Sequence, residues 1–210
     1  YAVAVKWGGY YSLISAGSFV SNPGYVAGNQ SPYFMPASKK GIQSSKWAKD
    51  SGTKNVTMNL LMSSVLKYGN IPYEYKGKTY YFTDLADQVA TVKEYNRGDE
   101  GNKIQVTMIL LLDYRTATED MIHPAARNRG AAPYYMFDTT SQAAQEKLEA
   151  VFSYLGEVFG REDYCFVSNW ILGNEVNSCD AWNYKGNLDI NSYVHGYANA
   201  FQTLYYAVKK

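Results

Sequence analysis

Ile104-Gln-Val-Thr-Met-Ile-Leu-Leu-Leu112 is the strongest strand in the sequence, and it runs directly into a carboxylate, Asp113. Runs of this kind are typical of buried strands in a parallel sheet. Asn55-Val-Thr-Met-Asn-Leu-Leu-Met62 repeats the pattern, as does the stretch opening Asn169-Trp-Ile-Leu172. Helical segments separate them. Thr83 is a plausible N-cap for a helix reaching Asn96. From Ser141 to Phe159, the residues Ala144, Leu148, Val151, Phe152, Leu155 and Phe159 recur at i, i+3, i+4 spacing. A third helix is expected from Ile190 onward. Strands and helices in alternation argue for a parallel α/β sheet.

The flanking segments are less regular. Residues 1–15 alternate around Gly8-Gly9, a hairpin signal. Residues 16–41 are rich in Gly, Pro, Ser and Asn and read as an irregular connection, with residues 32–36 packing on the body of the fold. A short helix is expected over 43–51, stopped by Gly52. An excursion hairpin should turn at Lys76-Gly77. The long connection 114–138 carries His123-Pro124 and Pro133-Tyr134-Tyr135, and loops of this length are usually functional or mobile.

Composition removes several classes of partner. A net charge of +1 gives no reason to expect nucleic acid or an anionic membrane surface. No run of 18 or more apolar residues is present, so no membrane span is expected. Gly-x-Gly-x-x-Gly and phosphate-loop signatures are missing, which lowers the weight of nucleotide sites. Cys165 and Cys179 bracket a strand that would hold them ~20 Å apart, too far for a disulfide. Both are expected as free thiols. Neither His123 nor His195 has metal-ligand spacing to a partner, and no cofactor is called for. The 21 Tyr, within 16% aromatics, suit wet surfaces that stack against the C–H faces of sugars. With 210 residues the chain supports one substantial core but falls short of the roughly 250 typical of a complete eight-stranded barrel. Its ends read as those of a trimmed or partial polypeptide.

Two strands end on acids. Gly173, Asn174 and Glu175 follow the apolar Trp170-Ile-Leu172, and Asp113 follows Leu112. Parallel α/β folds collect their chemistry at such exits.

Gly173-Asn174-Glu175 closing a strand resembles the acid/base signature of the retaining glycoside hydrolases of the large (β/α)8-barrel clan, where the Asn-Glu pair ends the fourth strand. A broader resemblance runs through Ser38-Lys-Lys-Gly-Ile-Gln43, Lys54-Asn-Val-Thr-Met-Asn59, Tyr75-Lys-Gly-Lys-Thr-Tyr-Tyr81, Ile122-His-Pro124, Ser168 to Asn177 and Trp182-Asn-Tyr184. These look like landmarks of a bacterial family of unassigned function, a glycosidase-like barrel often preceded by a β-sandwich module. The resemblance implies an α/β fold comprising the first half of a TIM-type (β/α)8 barrel over 38–210. A β-hairpin and irregular connection over 1–37 would precede it as the end of a sandwich module.

The resemblance also implies roles. Glu175 would be the general acid/base, and Asn174 would bond the hydroxyl beside the reacting carbon. Asp113 would bind substrate hydroxyls, against an equally weighted reading as an N-cap or loop salt bridge. His123 would reach the site from its loop, against a structural role beside Pro124. Trp182 and Tyr184 would form a stacking platform, or else pack under a loop. The implied partner is an oligo- or polysaccharide, and the implied location is extracellular or at the cell surface. A retaining mechanism needs a second carboxyl, which the clan places at the seventh strand, and no residue here matches it. The missing half would come from the same polypeptide or from another chain. The alternative is a non-catalytic carbohydrate-binding or cell-envelope protein. A half-barrel would expose strand edges on the 55–62 and 169–174 sides.

Overall fold

The computed structural model describes residues 4–13, 36–44, 46–99, 101–161 and 165–209. An antiparallel hairpin opens it, β1 (Ala4–Trp7) and β2 (Tyr10–Leu13), with Gly8 and Gly9 both at positive φ in the turn. The expected irregular connection over 16–41 lies for its greater part outside the described residues.

The body of the fold is a four-stranded parallel sheet. Its strands are β3 (Gly41–Gln43), β4 (Asn55–Leu61), β7 (Gln105–Leu111) and β10 (Asn169–Leu172), in the order β10-β7-β4-β3. Each strand is added beside the one before it, with no reversal of direction. Right-handed crossovers in such an order carry the connecting helices to one face.

The register shows which face that is. Val56, Leu60, Val106, Met108, Leu110 and Leu172 lie on one side of the sheet. They share a core with Val92, Leu148, Phe152, Phe159 and Leu204 of the helices. In the alternate row Thr57, Asn59, Thr107, Ile109 and Ile171 are half-buried or exposed, with Ile171 at 41%, and only Gln105 and Leu111 at the two ends of β7 are buried among the described residues of these strands. Helices therefore cover the strands on one face, and on the other face the expected burial holds only at the ends of β7.

Between β4 and β7 come α1 (Met62–Leu66), the hairpin β5 (Ile71–Tyr75) and β6 (Lys78–Phe82), and α2 (Ala86–Asn96). The hairpin turns at Lys76 and Gly77, both at positive φ, as expected. It docks on the next long helix, α3 (Gln142–Phe159), through Lys76–Glu149 and Lys78–Glu146 ion pairs. A two-strand ribbon, β8 (Gly160–Arg161) and β9 (Cys165–Phe166), leads into β10, and α4 (Ile190–Val208) packs along α3. Ser141 caps α3 by accepting from the Ala144 N–H at 3.2 Å, and Asp189 caps α4.

Three local expectations are corrected. No α-helix forms over 46–52, which is a succession of turns, and Gln43, the first residue of the expected helix, is instead paired with β4. That pairing also covers the β4 side of the sheet, leaving β3 and β10 as its edges. Thr83 is not the N-cap of α2, whose first residue is Ala86. Its hydroxyl accepts from the Tyr68 N–H at 3.0 Å and its own N–H donates to the Val65 carbonyl, so it clamps β6 to α1. Both cysteines are free, Cys165 fully buried and Cys179 partly so. Burial pushes the Cys165 thiol up to about 11.

Candidate functional site

The parallel register brings the carboxyl ends of the strands to one edge, with Leu61 beside Leu111 and Leu172 beside Leu110. Asp113 and the 173–175 turn leave the sheet there. The Gly173 N–H still donates to the Leu110 carbonyl at 2.8 Å, so the turn starts as a continuation of the ladder.

Asp113 is buried, with a side chain only 6% exposed. Its Oδ1 accepts from the Ser63 N–H at 3.1 Å, in the first turn of α1. Its Oδ2 lies 3.7 Å from Arg115 Nε and has no hydrogen-bond partner among the described residues. The side chain thus both caps a helix and pairs with an arginine, the work that the competing reading of this residue assigns it. It also lines a cleft of about 400 Å³, together with Leu61, Tyr114, Arg115, Arg129 and Tyr134.

The 173–176 turn is held from behind. Gly173 has φ +72°, a left-handed conformation in which a Cβ would also meet Val176 Cγ1 at 3.1 Å. Asn183, fully buried, donates to the Tyr193 hydroxyl at 2.7 Å, and that hydroxyl donates to the Val176 carbonyl at 2.6 Å. The Tyr197 hydroxyl donates to the Leu172 carbonyl at 3.0 Å. Glu175 itself sits at φ +46°, a conformation that costs a side-chain-bearing residue about 1–2 kcal/mol. Its carboxylate is exposed and, among the described residues, has no hydrogen bond or ion pair; Asn174 is half-buried and its amide is likewise unpaired.

The long 114–138 loop bridges the two strand exits. The Tyr135 N–H donates to the Leu112 carbonyl at 2.9 Å, while Tyr134 and Met136 bond the backbone of Tyr184 from either side. Rings follow the backbone. Tyr114 meets Tyr135 edge-on at 5.4 Å, and Tyr135 meets Tyr184 at 5.7 Å. Tyr134 and Trp182 lie 5.9 Å apart, with Trp182 38% exposed. Trp182 therefore belongs to an open ring pair, whereas Tyr184 is packed within a ring series.

His123 is placed elsewhere. Its Nδ1 accepts from the Ala125 N–H at 3.2 Å, capping a short 3-10 turn, and its ring lies in the field of Asp138 and Arg127. Burial pulls its pKa below the usual imidazole value; Asp138 opposes that shift and Arg127 adds to it. It is not among the residues lining the Asp113 cleft.

The sequence does not single out Arg115, Arg129 or Tyr193, and marks Asn183 only as the middle of Trp182-Asn-Tyr184; Pro133-Tyr-Tyr135 inside a long loop is the other local hint. Among the described residues no group of three or more His, Cys, Asp or Glu is placed to hold a metal ion, and no helix is long and apolar enough to cross a membrane.

Comparison with curated proteins and with solved structures gives no significant match. The model of a family of unknown function, DUF5722, matches residues 32–210, and the chain belongs to that family.

Proposed function

We propose that the chain is the first half of a (β/α)8-type, retaining glycoside hydrolase-like domain acting on an oligo- or polysaccharide outside the cytoplasm. Glu175 is its general acid/base, and Asn174 is the partner of the hydroxyl next to the reacting carbon. The observation that carries this reading is Glu175 itself. The left-handed backbone serves the turn, where the Glu175 carbonyl accepts from the Ser178 N–H at 2.7 Å, but the carboxylate it carries at the exit of a parallel strand is exposed and unpaired among the described residues, and backbone strain of this kind gathers at working sites. The steady strand order and the single helix-covered face support a barrel over a doubly wound sheet. The Tyr134–Trp182 pair supports a sugar as ligand. Double displacement needs a second carboxyl roughly 5–5.5 Å away, and Asp113 is engaged by Ser63 and Arg115, so the nucleophile is not assigned within this chain.

The test is Glu175→Gln in the full-length protein. Turnover of unactivated glycosides should fall by ~10²–10⁴-fold, the usual share of general acid–base catalysis. Unchanged turnover would remove the assignment. A second reading, sugar binding without hydrolysis, is favoured by one observation: an open aromatic pair is present while only one unengaged carboxylate stands at the described strand exits. It predicts saturable oligosaccharide binding without product.

A further inference from the structure

We propose that the cleft at the exit of β7 recognises an anionic sugar, with Arg115 and Arg129 engaging a carboxylate or sulfate on the glycan. This rests on the glycan reading above and names the class of glycan.

Arg115 is held along its inner edge only. Its Nη1 donates to the Tyr114 carbonyl at 2.7 Å and its Nε faces Asp113 Oδ2 at 3.7 Å. Nη2 makes no hydrogen bond among the described residues, and the side chain is 63% exposed. Arg129 lies with its guanidinium carbon 5.9 Å from the centre of the Tyr114 ring and forms no ion pair among the described residues. Two guanidiniums thus line one cleft of about 400 Å³, flanking a single tyrosine.

The negative charge facing them is small. Asp113 is the one acid in the cleft wall, more than nine-tenths buried, and its Oδ2 lacks a hydrogen bond. Glu119, whose carboxylate accepts from the Tyr114 hydroxyl at 2.8 Å, is a second acid close by but is not part of the cleft lining. Among the described residues the lining therefore carries two guanidiniums against one carboxylate, so with Asp113 and Arg115 paired one positive charge is left over. A planar guanidinium fixed on one side and open on the other suits a forked pair of hydrogen bonds to carboxylate or sulfate. A neutral sugar offers these donors only hydroxyl acceptors, without the charge assistance that an anion adds. Tyr134, in the same wall, pairs with Trp182 and adds a ring surface for the sugar face.

The test is calorimetric titration of the full-length protein with three oligosaccharides of equal length: neutral, uronate-containing and sulfated. One of the anionic glycans should bind at least tenfold more tightly than the neutral one, and the preferred one identifies the group. The double variant Arg115→Gln/Arg129→Gln should bring its affinity down to the level of the neutral glycan. Arg129 is exposed and Arg115 pairs with the buried Asp113, so a slightly lowered melting curve with one cooperative transition is expected and serves as the folding control. Equal affinity for all three, or an anionic preference that survives the double variant, overturns this inference and leaves the glycan reading standing. Binding of none of the three overturns both.

Discussion

The backbone N–H of Ser63 donates to Oδ1 of Asp113 at 3.1 Å, so the first turn of α1 is capped by a carboxylate from the neighbouring strand. This one bond ties the exits of β4 and β7 together. Replacing Asp113 with Ala strands the Ser63 N–H and releases Arg115, at a cost of about 1–3 kcal/mol. Asp113→Asn keeps an acceptor and loses only a pairing with a largely exposed arginine, which costs about 1 kcal/mol or less. Urea midpoints at constant m-value check the order; equal losses would assign the effect to charge rather than to the cap.

Tyr193 has a comparable role behind the Glu175 turn, accepting from Asn183 and donating to Val176. Tyr193→Phe leaves both groups unpaired in a buried setting, which costs about 1–3 kcal/mol. Amide exchange at 174–178 should accelerate in this variant while exchange in β7 changes less. Uniform acceleration would mean that the hydroxyl supports the whole domain rather than the turn.

Why some of this was readable follows from the range of the forces involved. β7 and α3 carry their burial in their own periodicity, so their position follows from local pattern. The strand exits at Asp113 and Glu175 were legible for the same reason. β3 was not, because three residues containing a glycine have no period; they are a strand only because β4 is there to pair with. Thr83 looks like a cap by type, yet its partners are Tyr68 and Val65, set by how β6 returns to α1. Arg115 and Arg129 share a wall only after the 114–138 loop folds back on Leu112 and Tyr184, a placement that no local pattern encodes.

His123 sets a pH dependence. Burial depresses its pKa in the folded state, against the opposing pull of Asp138 and with the help of Arg127. The unfolded chain takes up this proton near the ordinary value of about 6.5. Below that pH the unfolded state therefore holds more protons, and stability falls as pH falls. The contribution is fully present above pH ~6.5 and declines through the window beneath it. His123→Asn keeps a capping acceptor for the Ala125 N–H but cannot titrate. Its urea stability should vary less between pH 7 and pH 5 than that of the wild type; an unchanged slope would assign the dependence to other groups.

Glu175 separates stability from function most sharply. At φ +46° its backbone is strained by about 1 kcal/mol relative to glycine, and its side chain makes no hydrogen bond or ion pair among the described residues. Glu175→Gly should therefore raise stability by up to about 1 kcal/mol, an increase limited by the greater entropy of glycine in the unfolded chain. Glu175→Gln keeps the strained backbone and should leave stability within about 0.5 kcal/mol of the wild type. Both should lose activity in the full-length protein. If Glu175→Gly is destabilised instead, the carboxylate contributes to stability and its conformation is not a cost retained for chemistry.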